Sequence, residues 1–212
     1  MKNQDYLYLD HAASTPMRKS AMDKYIEAES YGYANSSGGH KLSRNSKNLL
    51  EDSREKIAEL LNAAQGEIVF TSGGTEADNW TIKSLFNSER PNDNLVTSNI
   101  EHEAVIASAE WVSSNGFHTK YAKSDKNGLV TKDEFLGQVD NDTKVASLMW
   151  GNNETGIIQP IKDIAREIKT INSSTLFHSD VVQGIISDNI DFHKNGIESA
   201  AVSAHKIGGP KG

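Results

Sequence analysis

The sequence predicts an α/β protein with three layers, in which helices cover both faces of a mostly parallel β-sheet. Short apolar runs alternate with longer segments of helical periodicity along the 212 residues, and no repeat or low-complexity tract interrupts the alternation. With 36% hydrophobic residues, the chain is long enough to bury a sizeable core. These two observations favour a doubly wound sheet over an all-helical or all-β fold.

The amino-terminal third is predicted to be helical. Thr15-Pro16 has the pattern of an N-cap followed by the first helical residue, and it predicts a helix through about Ser30. A glycine- and serine-rich loop follows over residues 35–39. Apolar residues spaced by nearly 3.6 positions then predict one long amphipathic helix from Leu42 to Leu61.

The rest of the chain alternates predicted strands and helices. Strands are expected at 67–71, 95–98, 117–122, 145–150, 175–179 and 199–203. Helices are expected at 75–87, 104–114, 131–138 and 161–171. Thr131 and Glu134 have the spacing of a capping box at the start of the third of these helices.

The segment Ser203–Pro210 places a lysine among polar side chains and ahead of a glycine turn. The amine of Lys206 is suited to form a Schiff base with an aldehyde cofactor, and Ser203 and His205 are suited to hold a phosphate. A lone lysine before a glycine turn is usually an ordinary surface residue. The upstream segments therefore decide its meaning.

Two upstream segments supply groups that pyridoxal phosphate requires. The glycines of Thr71–Ala77 fall where a strand is expected to turn into a helix, and free N–H groups at such a junction bind anions. The alternative is a tight connection with Thr75 as the N-cap. Asp180 follows an apolar run and is suited to pair with a protonated pyridine nitrogen, with Gln183 within reach of the phenolic oxygen. The alternative for Asp180 is a helix cap.

Two further polar segments follow apolar runs. An imidazole such as His102 stacks on an aromatic cofactor and acts as an acid or base near pH 7, although a lone histidine is more often a surface residue. The segment Asn152–Gly156 follows the next run. All five polar clusters are expected at the carboxyl ends of strands, where open α/β sheets bind their ligands.

Taken in order, six motifs closely resemble the cysteine desulfurases, the NifS-like members of class V among fold-type I pyridoxal phosphate enzymes. The motifs are Leu9–Ala13, Gly74–Glu76, Glu101-His102, Trp150–Gly156, His178–Gln183 and Ser203–Lys206. The resemblance extends from about residue 6 to Gly212 and implies a truncated large domain of a fold-type I transferase. Residues 1–15 would form a segment flanking the active site, and 16–212 an incomplete cofactor-binding domain.

The resemblance implies roles for individual residues. Lys206 would form the internal aldimine with pyridoxal 5'-phosphate, and His102 would stack on the ring, so that these two residues are catalytic. Asp180 would pair with the pyridine nitrogen, and Gln183 would contact the phenolic oxygen. Asn153 would lie near the phenolic oxygen and the substrate carboxylate.

The phosphate and the substrate pocket are assigned in the same way. The implied phosphate ligands are Gly74, Thr75, Ser203 and His205, and His11–Ala13 would flank the substrate pocket. The implied reaction converts L-cysteine to L-alanine in a homodimer that passes sulfur to an acceptor or scaffold protein. Iron–sulfur cluster assembly, other thio-cofactor pathways and tRNA thiolation all use such sulfur. No metal is implied.

The chain contains no cysteine, whereas desulfurases accept the substrate sulfur on a cysteine thiolate. In the family, that cysteine and the arginine that holds the substrate carboxylate follow the lysine segment. The chain is therefore interpreted as the amino-terminal part of such an enzyme and is expected to be inactive alone. A catalytically silent cofactor-binding fragment, a selenocysteine lyase and an aminotransferase stay open as alternatives.

The net charge and the absence of targeting signals limit the partners and location expected of the chain, and one rival metal site has to be weighed. A net charge of −7 argues against nonspecific binding to nucleic acid or to an anionic membrane. Without a signal peptide or an apolar run of ~18 residues, a cytoplasmic location is the default expectation. His178 and Asp180, with His193 or His205, have the composition of an iron-binding facial triad. The alternation of strands and helices disfavours the double-sheet barrel that such a site would need.

Overall fold

The structure is a computed structural model that describes residues 7–86, 90–187 and 190–211. Its chain divides into two compact units, one comprising Met1–Leu50 and Ser203–Gly212 and the other Glu51–Val202. Residues 1–6 of the predicted amino-terminal segment, position 87 of a predicted helix and Gly212 lie outside the described residues. The division predicted at residue 15 stays a prediction.

Helices and strands alternate through most of the described chain. The helices are α1 (Lys19–Tyr31), α2 (Lys41–Leu61), α3 (Gly74–Ser84), α4 (Glu103–Ser114), α5 (Lys132–Leu136), α6 (Ile161–Ile171), α7 (Gly184–Ser187) and α8 (Phe192–Asn195). The strands are β1 (Asn94–Ser98), β2 (His118–Ala122), β3 (Thr143–Ser147), β4 (Leu176–Asp180) and β5 (Ser199–Ala201). Two short 3₁₀ helices span Gln65–Glu67 and Ala204–Lys206. No helix in this part of the chain is long and apolar enough to cross a membrane.

The five strands form one sheet in the order β2-β1-β3-β4-β5, and every adjacent pair is parallel. This confirms the predicted parallel sheet. The connection that follows β1 runs toward β2, whereas the connection that follows its neighbour β3 runs the opposite way along the sheet, toward β4. A reversal of this kind opens a crevice at the carboxyl ends of the two strands concerned. The residues that follow β1 and β3 therefore occupy the position where this class of sheet binds ligands.

Both faces of the sheet are covered by helices, which confirms the three layers. Because side chains alternate along a strand, Leu95 and Val145 point toward α3 and α4, where they pack into one apolar cluster. Their neighbours Val96 and Ala146, with Phe177 of β4, join the apolar cluster of α5 and α6. Ile161, Ile164 and Ile168 of α6 are buried, as the helical periodicity predicts.

The strand predicted at 67–71 is wrong. After the 3₁₀ helix at Gln65–Glu67, this segment has no regular secondary structure. The carbonyl of Ile68 accepts the guanidinium of Arg54, which also lies 5.0 Å from the centre of the Phe70 ring. An apolar run becomes a strand only beside a partner strand, and here it packs against a helix instead.

The predicted start of α1 at Thr15-Pro16 is also wrong, because Arg18 is the N-cap. The hydroxyl of Thr15 donates to the carbonyl of His205 at 2.8 Å and accepts the N–H of Gly208 at 2.9 Å. A side chain occupied by these contacts is not available to cap a helix.

Smaller differences concern the third strand and the capping box. β3 ends at Ser147, three residues before the predicted end, and continues as an irregular segment. Thr131 caps α5 as predicted, since its hydroxyl accepts the N–H of Glu134 at 3.3 Å. The Glu134 carboxylate, however, accepts the N–H of Lys123 at 3.0 Å rather than completing the box.

Candidate cofactor site

Helix α3 begins at an N-terminus that no side chain caps. Its N-cap is Gly73, so the alternative that made Thr75 the cap is wrong. The N–H groups of Gly74 and Thr75 have no acceptor within the described parts of the chain, and a side chain at Gly73 would meet no atom within 4 Å. Free N–H groups at the positive end of an eleven-residue helix, approached over open space, are suited to bind an anion.

Asp180 ends the parallel strand β4 and is buried. Its Oδ1 accepts the N–H of Val182 at 2.9 Å. Burial raises the pKa of this carboxyl to about 6, and the neighbouring Asp78 adds to the shift, while His178 and His102 oppose it. A buried carboxylate with so little hydrogen bonding is destabilised as an anion, and a cationic partner would relieve that cost.

His102 is the N-cap of α4, at the carboxyl end of β1. Its Nδ1 accepts the N–H of Ala104 at 3.1 Å, so that in the neutral ring the proton is on Nε2. The imidazole is exposed, and in its charged form it lowers the pKa of Asp180 on β4. The structure thus brings these two predicted residues into electrostatic range.

The turn that carries His102 is held by Glu101, which the sequence motif included without assigning it a role. Its Oε1 accepts the hydroxyl of Ser98 at 2.8 Å and the N–H of Met149 at 2.9 Å, so it links the carboxyl ends of β1 and β3. Its Oε2 is buried without a partner within the described residues. Burial raises the pKa of this carboxyl to about 8, which favours its neutral form near pH 7.

Asn152 contacts the His102 turn, and the ligand role of its neighbour Asn153 stays a prediction. Its amide donates to the carbonyl of Ile100 at 2.9 Å, and its Oδ1 accepts the N–H groups of Glu154 and Thr155 at 3.0 and 2.8 Å. Asn153 is half-buried in the turn that Asn152 organises. The pair of adjacent asparagines gave no sequence signal to separate a structural role from a ligand-binding one.

Gln183 lies three residues after Asp180, in the turn that leads into α7, and is half-buried. Its backbone position agrees with the predicted helical turn after β4, since α7 begins at Gly184. Its role as a cofactor ligand stays a prediction.

Lys206 belongs to the other compact unit, in the 3₁₀ helix Ala204–Lys206. Its Nζ donates to the carbonyls of Ala12 and Ala13, the latter at 3.1 Å. The structure therefore brings the predicted catalytic lysine together with the His11–Ala13 segment, which the resemblance places beside the substrate pocket.

The two predicted phosphate ligands of this unit lie on the same segment. Ser203 is buried and precedes the 3₁₀ helix, where its side chain makes no capping hydrogen bond. His205 Nδ1 lies 3.2 Å from the hydroxyl of Ser14. Partial burial lowers the pKa of this imidazole, and the charges of Lys206 and Lys211 lower it further. His205 is therefore mostly neutral at pH 7 and is suited to a phosphate as a hydrogen-bond donor.

The contacts of His178 argue against the rival iron site. Its Nε2 lies 3.0 Å from Asp78 Oδ1 and its Nδ1 lies 3.1 Å from Ser199 Oγ, so both ring nitrogens are already hydrogen-bonded. A metal ligand needs one nitrogen lone pair free to point at the ion.

Several known proteins are similar to this chain over nearly its whole length. It is 38% identical over 207 residues to cysteine desulfurase IscS of Methanosarcina thermophila, covering 97% of this chain and 51% of that protein. It is 37% identical to putative cysteine desulfurase IscS 1 of Bacillus subtilis, covering 97% of this chain and 54% of that protein. The chain thus spans about half the length of the curated relatives it matches.

Solved structures agree with the sequence relatives. A NifS-like protein superposes with a TM-score of 0.93 at 36% identity, covering 97% of this chain and 57% of the other. SspA in complex with cysteine superposes with a TM-score of 0.91 at 33% identity, covering 98% and 59%. The family profile for aminotransferase class-V matches residues 7–212. The chain therefore belongs to the aminotransferase class-V family.

Proposed function

We propose that this chain is the pyridoxal phosphate-binding part of a cysteine desulfurase. The proposal rests on two features of the same compact unit. The N-terminus of α3 has no side-chain cap, and the buried carboxylate of Asp180 would be stabilised by a cationic partner. The relatives support it, since they are named cysteine desulfurases and members of this family depend on pyridoxal phosphate.

The phosphate of the cofactor fits the start of α3. The N–H groups of Gly74 and Thr75 would each donate to a phosphate oxygen, and the helix dipole adds to the attraction for a dianion. Ser203 and His205 are further phosphate ligands in this proposal, on the strength of the resemblance. Their hydroxyl and neutral imidazole are both suited to donate hydrogen bonds to phosphate oxygens.

The protonated ring nitrogen fits Asp180. A cation beside this carboxylate would replace the water that burial has removed and restore its ionised form. Gln183, three residues on, would donate to the phenolic oxygen. When bound, pyridoxal phosphate would supply an electron sink, and Asp180 would support it by keeping the ring nitrogen protonated.

The remaining residues hold the ring and the substrate or move protons. His102 would lie over the ring, and its Nε2 would carry the transferable proton because Nδ1 is committed to α4. Lys206 would hold the cofactor covalently through its amine, and Asn153 would lie near the substrate carboxylate. His11–Ala13 would border the substrate, since this segment already contacts Lys206.

Sulfur transfer requires a group that these 212 residues do not contain. A thiolate has to attack the substrate sulfur, and the sequence has no cysteine, while methionine thioethers and hydroxyls are poor substitutes. We therefore propose L-cysteine as the substrate of the complete enzyme, with a homodimer and a separate sulfur-acceptor protein as its partners. The 212-residue chain alone would bind the cofactor and release no sulfur.

Borohydride reduction of the protein after incubation with pyridoxal phosphate tests the cofactor assignment. We expect reduction to attach the cofactor to Lys206, as read by peptide mass mapping. Lys206→Arg should abolish the adduct, and Lys211→Arg, at a neighbouring lysine, should leave it unchanged. Adducts spread over several lysines, or an adduct that survives Lys206→Arg, would contradict the proposal.

A second measurement distinguishes the amino-terminal part of a cysteine desulfurase from that of a selenocysteine lyase or an aminotransferase. Spectral titration of the loaded chain with L-cysteine, L-selenocysteine and L-alanine reports which amino acid perturbs the cofactor. A response to L-cysteine without release of sulfide or alanine above the free-cofactor background is expected. Sustained alanine release by this chain would show that the chemistry runs without an enzyme thiolate, and a response to L-selenocysteine alone would favour a selenocysteine lyase.

A further inference from the structure

A buried polar network links α3 to β4 and β5. Asp78 Oδ1 lies 3.0 Å from His178 Nε2, His178 Nδ1 lies 3.1 Å from Ser199 Oγ, and Ser199 Oγ lies 2.8 Å from Thr81 Oγ1. Asp78 is 1% exposed and His178 is fully buried. None of the four residues is assigned a role in the proposed function.

A buried pair of this kind needs an explanation other than stability. Taking ionisable groups out of water costs several kcal/mol, and apolar residues of similar volume often serve a core equally well or better. Elsewhere on the same face, Leu95 and Val145 of the sheet pack against Ile82 of α3 in the ordinary apolar way. In some proteins a polar pair inside a core is retained because it fixes one arrangement of two elements.

The pair stands close to both proposed cofactor contacts. Asp78 follows Gly74 by four residues on α3, which places the two on one face of the helix about 6 Å apart along its axis. His178 precedes Asp180 by two residues on β4, which places the two side chains on one face of the sheet about 7 Å apart. The hydrogen bond between Asp78 and His178 therefore joins α3 to β4, and it lies at a similar short distance from Gly74 and from Asp180.

The two members of the pair act on the pKa of Asp180 in opposite directions. Asp78 raises the pKa of Asp180, and His178 lowers it. Separating the two partners would therefore disturb the carboxylate as well as the position of the helix. The other ionisable neighbours of Asp180 are His102, which lowers its pKa, and Glu101, whose own pKa is raised by both Asp180 and Asp78.

We propose that Asp78 and His178 form a positioning pair, which holds α3 against β4 and so sets the spacing between the phosphate-binding N–H groups and the Asp180 carboxylate. The inference rests on the proposed function, because it assigns the two ends of the spacing to one cofactor. A ligand that contacts both ends depends on their spacing. A ligand that contacts only one end does not.

The test compares ligands that reach one end or both. Affinities for pyridoxal 5'-phosphate, for inorganic phosphate and for pyridoxine are measured on the wild-type chain and three variants. Asp78→Leu removes the hydrogen bond at similar volume, Asp78→Asn keeps an acceptor for Nε2 and removes the charge, and Ser179→Ala is the control. Ser179 is also fully buried on β4, but it points to the opposite face and donates to Leu148 O at 2.8 Å.

We expect Asp78→Leu to weaken pyridoxal 5'-phosphate binding about tenfold or more while the affinities for phosphate and pyridoxine change less than about threefold. Asp78→Asn should stay within about threefold of wild type for all three ligands. Ser179→Ala should match wild type. Equal losses for all three ligands in Asp78→Leu, or equal losses in Asp78→Leu and Asp78→Asn, would overturn the positioning role.

A second variant and an NMR measurement distinguish a failure of the positioning pair from misfolding and from a failure of the proposed function. If Asp78→Leu fails to fold, His178→Gln replaces it in the test, because the shorter glutamine side chain no longer reaches Asp78. We expect the same pattern of affinities for the three ligands. The amide shifts of Gly74 and Thr75, recorded by NMR without ligand, should move in Asp78→Leu and stay in Asp78→Asn. Unmoved shifts would overturn the positioning pair. A wild-type chain that binds neither phosphate nor pyridoxal 5'-phosphate would instead overturn the proposed function.

Discussion

The two faces of the sheet are both buried, but they differ in chemistry. The face under α5 and α6 is mostly apolar, with Val96, Ala146, Leu148 and Phe177. The face under α3 and α4 also buries the polar side chains of Thr97, Ser147, His178 and Asp180, and Ser199 on this face is half-buried. One face serves mainly to hold the fold together, whereas the other combines packing with the candidate site.

The polar face is the less stable design. Thr97 Oγ1 and Ser147 Oγ are buried without a hydrogen-bond partner in the described residues, and such a group costs about 1–3 kcal/mol. Asp180 and Glu101 are held in settings that disfavour their ionised forms. Departures of this kind from ordinary core packing are typical of functional regions. We therefore expect function on this face, and mutations on the two faces should have different effects.

The largest effect is expected on the apolar face. Phe177→Ala removes a fully buried ring and should lower the free energy of unfolding by about 3–5 kcal/mol. The protein loses the free energy gained by burying the ring, and the cavity left behind adds to the cost. Urea denaturation measures it. Ile171→Ala, at a partly exposed residue of α6, should cost less than about 1 kcal/mol. If cofactor affinity of the folded Phe177→Ala protein fell as far as its stability, the separation of the two faces would be wrong.

A glycine next to the apolar cluster should come second. A Cβ on Gly184 would lie 2.4–2.7 Å from three atoms of Trp150, whose ring is buried and has little room to move. Gly184→Ala should therefore lower the free energy of unfolding by about 2–3 kcal/mol. Gly66→Ala is the control, since a Cβ there meets no atom within 4 Å. Equal melting temperatures of the two variants would contradict the packing argument.

Ionisable groups at the polar face should make the free energy of unfolding depend on pH. Burial raises the pKa of Glu101 from 4.5 to about 8, so the folded chain binds a proton that the unfolded chain has released. This contribution to stability is complete below the unfolded pKa and is lost as pH rises through the folded one. Through Glu101 alone, wild-type stability should fall by about 2 kcal/mol between pH 5 and pH 6.5, and further up to pH 8. Asp180 acts in the same direction, since its pKa is also raised.

Glu101→Gln should flatten that dependence, as measured by urea denaturation at several pH values. Asp140 provides the opposite case: burial raises the pKa of its carboxyl, but hydrogen bonds from Lys120 and Asn94 outweigh it and lower the pKa to about 2. Its contribution is present above 3.8 and is lost as pH falls. Asp140→Asn should therefore alter only the acid limb. A Glu101→Gln profile that parallels wild type would show that Glu101 is ionised.

The smallest effect concerns the helix layer over the apolar face. Thr131→Ala removes the hydroxyl that caps α5 and should lower stability by about 1 kcal/mol. Thr170→Ala, within α6, should change it by less than about 0.5 kcal/mol, because that hydroxyl only bonds back to Glu167 of its own helix. A larger loss from Thr170→Ala than from Thr131→Ala would reverse the assignment of the cap.

Sequence reasoning succeeded where the signal is local. The bounds of α6 agree with the predicted 161–171, because isoleucines recur on one helical face and the flanking residues end the pattern. Strand β4 lies within one residue of its prediction. The predicted strand at 67–71 failed because a run of apolar residues specifies burial or exposure without specifying a partner strand.

The same limit applies to the candidate site. The polar residues at strand ends were predicted together from their positions after apolar runs. The sequence assigned roles to Asn153 and His102, and the contacts of their neighbours Asn152 and Glu101 were not predicted. In both cases the useful information is the direction of a side chain in the turn after a strand, and these turns are shaped by contacts from another strand.

By itself, the sequence determined the alternation of helices and strands, the parallel sheet that this alternation requires, and the motifs that resemble a pyridoxal phosphate enzyme. These depend on periodicity and on residue order, which are local properties of the chain. Only the tertiary structure decided that Asp78 and His178, 100 positions apart, share a buried hydrogen bond, and that Glu101 links two strand ends. Contacts of this range depend on the strand order and on how each helix packs across the sheet, and a local pattern specifies neither.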